Sequence, residues 1–508
     1  MNFANVILQS PAPGEKTALL TQQGDLRYDE LRTSVPDLAA TLRARGLQPG
    51  QRVLLAGESS IFWVQCYLAI ALAGGVAVPV AVPADPEYLA RLVRETEPLL
   101  ACVQAKWLKR LADALPGIDV VLSDARPPRL PGDLEIITPD QWGSGQGFHI
   151  HDTGDDELAA IMYTSGSTAE PRGVMVSHGN ILANSADIIA SLDIGPDDRI
   201  MAVLPFHYCF GTSLLHTHLL AGASLVIDNR FLFPEKVLQN MVESRCTSLA
   251  GVPSTYQILL RRSSLKKMEF PDLKKVQQAG GKLADNFIAE LEEALPGVDV
   301  YIMYGQTEAT ARLSCISPAD RRAHPGSIGR GLRNVHLEIR DEEGRVLPAG
   351  EVGEIVATRP NITLGYWRNE EATERVFGGG LHTGDLARRD ADGYVYITDR
   401  ARDFLKCGGK RVGCRHIEEA ILLMEGMAEC AVVGVPDMVL GEAVCIYAVH
   451  ARGSAAEADL RAYCEKNLDR TLHPRRIVFL DDLPRNKSGK PDKPALKRRA
   501  AEEVAEEE

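Results

Sequence analysis

The sequence predicts an α/β protein in which a large N-terminal α/β domain with a β-rich subdomain spans residues 1–400 and a small mobile α+β C-terminal domain spans residues 401–508. Apolar strand-like runs alternate with helical patterns through most of the chain, which is typical of βαβ units with parallel sheet. The pattern changes to short β-like runs near His324 and to a mixed pattern after residue 400. A chain of 508 residues is also too long for one core.

The composition argues against several classes of protein. With 45% hydrophobic and 25% charged residues, the chain has the composition of an ordinary soluble globular protein. A formal net charge of −13 argues against a nucleic-acid binder. The ten cysteines show no Cys-x-x-Cys spacing, and the N-terminus has no basic start followed by an apolar core. We therefore expect a cytoplasmic protein.

The strands of the large domain are predicted from short apolar runs. They fall at residues 52–56, 76–80, 158–162, 200–204, 223–227, 247–251, 275–279 and 298–303, and those of the β-rich subdomain at 335–340 and 351–358. The apolar segment 62–82 is long enough to span a membrane. Gly74, Gly75, Pro79 and Pro83 favour instead a buried helix to about Leu72 and then a strand, so no membrane span is expected.

A loop rich in hydroxyls and glycine follows the strand at 158–162, in the position where open α/β sheets bind ligands. It reads Tyr-Thr-Ser-Gly-Ser-Thr-Ala-Glu-Pro-Arg-Gly from Tyr163 to Gly173. Hydroxyls, glycine N–H groups and a cation suit a phosphate, and the residues that supply them are Thr164, Ser165, Gly166, Ser167, Thr168 and Arg172. No Walker pattern can be read here. On composition alone, a plain surface loop is an equal alternative.

This loop resembles the phosphate loop of the adenylate-forming superfamily, the AMP-dependent synthetases and ligases that include acyl-CoA synthetases. Ala169 stands where the family usually has Gly, and Arg172 where it usually has Lys. Further family-like motifs follow in the family's order as far as Lys490. The resemblance implies that ATP activates a carboxylic acid to an acyl-adenylate with release of pyrophosphate, and that the acyl group then passes to a thiol.

The motif Tyr304-Gly-Gln-Thr-Glu308 resembles the family's Tyr-Gly-x-Thr-Glu element. The resemblance implies that Tyr304 packs on adenine next to Gly305, that Thr307 contacts the α-phosphate and that Glu308 binds Mg²⁺, with Thr164 as the second metal ligand. A hard cation with oxygen ligands would neutralise charge on the leaving pyrophosphate. The turn of Gly280 and Gly281 is assigned to the same ATP site. Standing alone, the pentapeptide would be an ordinary strand-to-loop turn.

Three further motifs complete the nucleotide and thiol sites that the resemblance implies. His382-Thr-Gly-Asp-Leu386 and Asp399-Arg400 resemble the ribose-binding element, with Asp385 accepting from the ribose hydroxyls and Arg400 donating. The next segment matches the family hinge, which places Arg402 at the pivot. Leu483-Pro-Arg-Asn-Lys-Ser-Gly-Lys490 resembles the C-terminal signature, whose Lys490 would bridge the substrate carboxylate and the α-phosphate. The thiol tunnel is assigned to Lys406, Gly408, Gly409 and Arg411.

The acyl pocket departs most from the family pattern. Its predicted residues are His207, Tyr208, Phe210, Gly211, Gln278 and Met303. Tyr208 occupies the place of the usual family His and His207 precedes it, so that either ring could gate the site, or His207 could be structural. Gln278 and Met303 stand where CoA ligases often have small residues, which would shorten the pocket. No Phe-Asp pair of the kind that binds an amino acid's ammonium group is present in this segment.

The function expected from these motifs is that of an acid–CoA ligase that uses ATP and Mg²⁺ on a small-molecule carboxylic acid. Lys410 and Arg415, with Lys406 and Arg411, could receive the phosphates of CoA or the acidic surface of an acyl carrier protein that presents the same phosphopantetheine arm. CoA is preferred because a compact cluster of cations suffices for it. An enzyme that stops at the adenylate and a catalytically silent nucleotide-binding regulator remain as alternatives.

Overall fold

The structure is a computed structural model that describes residues 1–127, 134–164, 171–400, 404–407, 410–424, 426–437, 441–450, 457–485 and 491–505. Within these ranges the strands are β1 Thr17–Thr21, β2 Gly24–Arg27, β3 Arg52–Ala56, β4 Val76–Val80, β5 Leu100–Val103, β6 Val120–Leu122, β7 Glu135–Ile137, β8 Leu158–Thr164, β9 Arg172–Ser177, β10 Arg199–Ala202, β11 Ser224–Ile227, β12 Ser248–Gly251, β13 Lys275–Gln278, β14 Asp299–Tyr304, β15 Ser314–Ile316, β16 Arg330–Gly331, β17 His336–Arg340, β18 Val352–Thr358, β19 Leu381–Arg389, β20 Val395–Arg400, β21 Phe404–Cys407, β22 Lys410–Gly413, β23 Met427–Asp437, β24 Gly441–His450 and β25 Arg476–Phe479.

The helices pack on the faces of these strands. They are α1 Phe3–Leu8, α2 Tyr28–Ala44, α3 Ile61–Leu72, α4 Pro86–Thr96, α5 Ala105–Leu111, α6 His178–Leu192, α7 Cys209–Leu220, α8 Pro234–Glu243, α9 Pro253–Arg262, α10 Asp285–Ala294, α11 Pro318–Ala323, α12 Glu370–Phe377, α13 Cys414–Leu422, α14 Glu457–Asn467 and α15 Lys493–Ala505.

The strands of the described residues form four sheets. Sheet I has the order β16-β15-β14-β13-β12-β10-β11-β1-β2, and sheet II the order β7-β6-β5-β3-β4-β8-β9. Both are parallel in their interior and antiparallel at an edge, where β14 meets β15 and β8 meets β9. Sheet III is the antiparallel series β17-β18-β19-β20. Sheet IV has the order β22-β21-β24-β23, with β25 parallel to β24.

The buried strands explain why the sequence pattern was readable. Val53, Leu54 and Leu55 of β3 are fully buried on both faces, because helices cover both sides of a parallel sheet. The apolar segment after it is the twelve-residue helix α3, which ends where Gly74 adopts a φ of +78°. Across the described ranges, none of the helices combines the length and the apolar character that crossing a membrane requires.

The predicted α/β architecture is confirmed, with strand bounds within one or two residues of the predicted ones. The strands predicted at 52–56 and 76–80 are found with those bounds. Strand β9 was not predicted: the chain returns from the phosphate loop as an antiparallel partner of β8, with Thr164 opposite Arg172. Sheet IV is built entirely from strands after residue 403. A division at 400/401 into a large and a mobile domain remains a prediction.

Candidate active site

The residues predicted to hold the adenosine come from two different sheets and meet. Tyr304 is the last residue of β14 in sheet I, and Asp385 lies in β19 of sheet III. The Tyr304 hydroxyl donates a 2.7 Å hydrogen bond to Oδ2 of Asp385, a residue that is only 3% exposed. Arg400 of β20 stands opposite Asp385 in the strand register. The predicted adenine and ribose contacts therefore lie side by side, although 80 residues of sequence separate Tyr304 from the Asp385 motif.

Glu308, the predicted magnesium ligand, is held through both its backbone and its carboxylate. Its carbonyl oxygen accepts hydrogen bonds from N and Oγ1 of Thr363, each at 3.0 Å. Its Oε1 accepts a 2.8 Å hydrogen bond from the Tyr366 hydroxyl. Burial and the neighbouring carboxylate of Glu308 raise the pKa of Tyr366, so the hydroxyl keeps its proton. The Arg172 guanidinium lies 5.2 Å from the centroid of the Tyr366 ring, so Tyr366 links the exit of the phosphate loop to Glu308.

The turn from Tyr304 to Glu308 packs against the start of α7. A β-carbon at Gly305 would lie 2.1 Å from the carbonyl oxygen of Ala311 and 2.7 Å from Cα of Arg312, so only glycine allows this approach. Thr307 donates through Oγ1 to Sγ of Cys209, the first residue of α7, at 3.3 Å. The predicted nucleotide residues and the predicted acyl wall therefore share one packed junction.

Phe210 and Met303 of the predicted acyl wall are both buried, with 2% and 3% of their surface exposed. They come from the first turn of α7 and from β14. A β-carbon at Gly211 would lie 2.2 Å from the carbonyl oxygen of Pro205, so a glycine is needed where α7 folds back on the loop before it. Phe210 and Met303 lie in the same core cluster, and their role as the apolar wall of the site stays a prediction.

Gln278 is fully buried and has a role in its own turn. Its Nε2 donates a 2.7 Å hydrogen bond to the carbonyl oxygen of Gly281 and closes the turn in which Gly280 takes a φ of +85°. Lys282, the next residue, forms an ion pair with Glu419 of α13, with 2.8 Å between Nζ and Oε1. The predicted pocket wall at Gln278 therefore also braces the turn that contacts the C-terminal part of the chain.

His207 and Tyr208 precede α7 and are half-buried. The carbonyl oxygen of Tyr208 accepts a 3.0 Å hydrogen bond from Oγ1 of Thr212, which also donates to the carbonyl of Phe206 at 2.8 Å. These bonds fix the backbone at the entrance of α7. That either His207 or Tyr208 gates the acyl site stays a prediction.

Several predicted site residues lie outside the described residues, namely Ser165, Gly166, Ser167, Thr168, Arg402, Gly408, Gly409 and Lys490. Thr164 is described as the last residue of β8. Lys406 and Arg411 face each other in the register of the β21–β22 hairpin, the predicted wall of the thiol tunnel. Their roles, and that of the basic residue Lys410 in the same hairpin, stay predictions.

A buried ion pair anchors the chain just before the segment that carries Lys490. Arg485 donates through Nη2 to both carboxylate oxygens of Glu429, at 2.6 and 2.7 Å, and Glu429 is 3% exposed. Arg485 also pairs with Pro491 in an isolated antiparallel bridge. Arg485 is therefore tied to β23 of sheet IV, and Pro491 is paired with Arg485. Sequence reasoning missed this pair, because residues 429 and 485 are far apart in the chain.

The oxygen ligands at Glu308 suit a magnesium ion that binds together with a nucleotide. Among the residues that the structure describes, no group of three or more His, Cys, Asp and Glu side chains could hold a metal ion. Mg²⁺ is commonly bound by one or two carboxylates together with phosphate oxygens of a substrate. Glu308, with the Thr164 hydroxyl predicted beside it, matches that mode of binding.

Tyr366, Thr363 and Arg312 are site residues that sequence reasoning missed. Tyr366 and Thr363 follow a loop of sheet III and act on Glu308 of sheet I, so no local pattern marks them. Arg312 is only 1% exposed, and a buried arginine is rare enough to be informative. In the sequence, its position four residues after Glu308 is the feature that could have marked Arg312 as a neighbour of the site.

The chain is similar to known proteins over nearly its whole length. A family model described as AMP-binding enzyme matches residues 9–367, and one described as AMP-binding enzyme C-terminal domain matches residues 416–490. A feruloyl-CoA synthase from Amycolatopsis sp. is 30% identical over 93% of this chain and 94% of its own. A sulfoacetate–CoA ligase from Cupriavidus necator is 30% identical over 92% of this chain and 91% of its own.

Among solved structures, the ATP-bound MatB from Rhodopseudomonas palustris superposes with a TM-score of 0.85 at 30% identity, covering 98% of each chain. The matched residues of the family model include the phosphate loop, the Tyr304–Glu308 motif and Tyr366. The resemblance seen in the motifs is thus confirmed over both parts of the chain, and the chain belongs to the AMP-binding enzyme family.

Proposed function

We propose that the site formed by Tyr304, Glu308, Tyr366 and Asp385 binds ATP with Mg²⁺ and that the chain uses it to join a carboxylic acid to CoA. The enzyme is an AMP-forming acid–CoA ligase. The observation that carries the site assignment is the 2.7 Å hydrogen bond between Tyr304 and Asp385. It brings a ring suited to a base and a carboxylate suited to a ribose diol to one place.

The reaction has two steps. A carboxylate oxygen of the acid attacks the α-phosphorus of ATP, the bond to the β-phosphate breaks, and pyrophosphate leaves. The thiol of CoA then loses its proton and attacks the acyl carbon, and AMP leaves with the electrons of its bond to that carbon. The first step depends on positioning and charge neutralisation rather than on acid–base chemistry. When bound, Mg²⁺ would neutralise charge on the phosphates.

In the first step the chain's own residues bind and orient. Asp385 would accept from the ribose hydroxyls, and Tyr366 fixes the Glu308 carboxylate in one orientation by its 2.8 Å hydrogen bond. Thr307, whose hydroxyl donates to Cys209 in the free chain, would give up that hydrogen bond and donate the same proton to the α-phosphate. Lys490 would bring a positive charge to the reacting carboxylate and phosphate.

Relatives that act on feruloyl and sulfoacetyl groups support a compact acid as the substrate. The buried Phe210, Gln278 and Met303 support the same conclusion, because bulky buried side chains at these predicted wall positions would shorten the pocket. CoA rather than a carrier protein is the proposed acceptor, because the described relatives' names all specify CoA.

The test is pyrophosphate release and ATP–pyrophosphate exchange across short, aryl and fatty acids, with and without CoA and with a panel of carrier proteins. We expect exchange with compact acids and Mg²⁺ only, and AMP and acyl-CoA in equal amounts when CoA is present. Asp385→Asn should raise KM for ATP, because a neutral amide accepts less strongly from two hydroxyls. Asp119→Asn, on an exposed loop, is the matched control.

Turnover with a carrier protein and none with CoA would overturn the proposed acceptor. Exchange at the same rate in EDTA would overturn the magnesium assignment. An Asp385→Asn enzyme that keeps the wild-type KM for ATP would remove Asp385 from the ribose site.

A further inference from the structure

Arg312 is a buried cation whose backbone is fixed on both sides. It lies between the Tyr304–Glu308 turn and β15, and only 1% of its surface is exposed. Its N–H donates to Oδ1 of Asn184 at 3.2 Å, and its carbonyl oxygen accepts from Nδ2 of Asn184 at 2.8 Å and of Asn361 at 2.9 Å. With the backbone held by two asparagines, the side chain has a defined direction.

That direction is toward α7, where the predicted acyl wall begins. Cζ of Arg312 lies 3.8 Å from the centroid of the Phe210 ring, and Nη1 donates to Oγ of Ser213 at 3.2 Å. Phe210 and Ser213 are three residues apart and thus on one face of the helix. The guanidinium therefore lies over the ring of the residue that sequence reasoning placed in the acyl pocket.

The guanidinium is not satisfied by these contacts. It has five N–H donors, and Nε and Nη2 have no hydrogen-bond partner among the described residues. The groups that favour its charged form are the thiols of Cys209 and Cys315 and the hydroxyl of Tyr208, none of which is a carboxylate. Burial lowers the pKa of Arg312 to about 10, so the side chain is still charged at neutral pH.

Burying a charge without a counter-charge is costly, by several kcal/mol per ion in real proteins. A cation–π contact returns roughly 2 kcal/mol when desolvated, which does not offset this cost. A packed apolar side chain at this position would be more stable in the free protein. The charge is therefore explained if its partner is a ligand rather than a residue of this chain.

We propose that Arg312 is a specificity-determining residue that binds a second oxyanion, a carboxylate or sulfonate, on the tail of the acid. This inference rests on the proposed acid–CoA ligase function. The planar fork of Nε and Nη2 matches the two oxygens of such a group. An acid with an apolar tail leaves the buried charge unpaired and binds less well.

Arg312 shares two neighbours, Cys209 and Gly305, with the predicted nucleotide site. Cys209, which raises the pKa of Arg312, also accepts the hydrogen bond of Thr307, the predicted α-phosphate contact. A β-carbon at Gly305 would lie 2.7 Å from Cα of Arg312, so the two backbones are closely packed. The cation is therefore adjacent to the predicted nucleotide motif, which favours a short diacid or a compact aryl diacid.

The experiment compares matched acids by ATP–pyrophosphate exchange, with pairs that differ in one anionic group: butyrate and succinate, benzoate and the three benzene dicarboxylates, propionate and 3-sulfopropionate. We expect kcat/KM to favour the dianion of at least one pair by about 100-fold or more, because a buried polar site left unpaired rejects the analogue strongly. Arg312→Gln should abolish that preference, and Arg312→Lys should restore part of it.

A second measurement needs no variant. The preferred dianion alone should raise the unfolding temperature of the wild-type enzyme, whereas its monoanionic partner should not. Arg312→Met should remove this shift and should itself unfold no earlier than wild type, because it removes an unpaired buried charge.

Three outcomes would overturn the inference. Wild-type preference for every monoanion would show that the cation is not a tail site while leaving the ligase function intact. An equal loss with mono- and dianions in Arg312→Gln, without a change in their ratio, would show a structural cation. No exchange with any acid would remove the proposed function and this inference with it.

Discussion

In the nucleotide half of the site, the carboxylates of Asp385 and Glu308 each accept a hydrogen bond from a tyrosine, whereas in the acyl half two nitrogens of Arg312 have no partner among the described residues. The two halves meet at Gly305, where a β-carbon would lie 2.7 Å from Cα of Arg312. The two carboxylates of the predicted nucleotide half are held by hydrogen bonds within the chain. The predicted acyl half has a charge that none of the described residues neutralises.

The difference follows from the ligands. Every reaction of an AMP-binding enzyme uses the same nucleotide, so its site can be preorganised by fixed hydrogen bonds. The acid differs between relatives, from feruloyl to sulfoacetyl groups, and the residues that contact it are where such enzymes can differ. The unpaired charge of Arg312 in the acyl half therefore indicates which acid the enzyme takes. The hydrogen-bonded carboxylates of Asp385 and Glu308 in the nucleotide half indicate which reaction it carries out.

The largest effect is expected from Lys490→Ala, which tests whether the nucleotide half is sufficient without the C-terminal part of the chain. Adenylation should fall by about 10²–10³-fold, as when one preorganised donor is removed, while thioester formation from supplied acyl-adenylate should change little. ATP–pyrophosphate exchange and single-turnover thioester formation measure the two steps separately. Lys466→Ala on α14 is the control, and an equal loss in both steps would remove Lys490 from this role.

Gly305→Ala should damage both halves at once. The new β-carbon would collide with the backbone of Ala311 and Arg312, and overpacking of this kind costs about 1–3 kcal/mol. We expect a lower unfolding temperature and a higher KM for both ATP and the acid. Gly195→Ala, where a β-carbon would meet no atom within 4 Å, should be neutral. A normal KM for the acid would show that the two halves are independent.

Tyr366→Phe should affect the nucleotide half alone. It removes the hydrogen bond to Oε1 of Glu308 but keeps the ring over which Arg172 lies. Hydrogen bonds to charged groups contribute about 1.5–3 kcal/mol. We therefore expect the rate of adenylation to fall about tenfold and the magnesium concentration that gives the half-maximal rate to rise. Titration of Mg²⁺ at saturating ATP measures this. An altered preference among acids would contradict the separation of the halves.

The smallest effect concerns His216, a buried neutral group on the same helix as Phe210 and Ser213. Burial lowers its pKa to about 3, and its Nε2 lies 3.0 Å from the Tyr67 hydroxyl. Because the folded-state pKa lies below the unfolded value of about 6.5, its contribution to stability is complete above pH 6.5 and is lost as the pH falls toward 3. Between pH 7 and pH 5.5, this one histidine should lower the free energy of unfolding by about 1 kcal/mol.

The measurement is the free energy of unfolding against pH for wild type and His216→Gln. The variant should show a flatter slope between pH 7 and 5.5, because glutamine does not take up a proton. His336→Gln, at an exposed position, should keep the wild-type slope. An unchanged slope in His216→Gln would show that the ring takes up protons equally in the folded and unfolded states.

Local sequence patterns were sufficient to predict the strands of the large domain and to identify the motifs. Runs such as 52–56 and 76–80 are buried on both faces, so they are apolar throughout and can be read without a structure. The motif at Tyr304–Glu308 is contiguous, so it can be identified from the sequence, and the roles of its residues stay predictions. Strand β9 was missed because its partner β8 lies across the phosphate loop, and pairing across a loop leaves little trace in composition.

The sequence by itself determined the α/β class, the family and the contiguous motifs, since each depends on residues that are neighbours in the chain. Only the tertiary structure decided which residues complete the site. Tyr366 reaches Glu308 from the segment between β18 and α12, Asp385 reaches Tyr304, and Arg312 is buried on Phe210 with no counter-ion among the described residues. Hydrogen bonding and desolvation act through space at a few ångströms, and the distances between such groups are set by sheet packing rather than by their order in the chain.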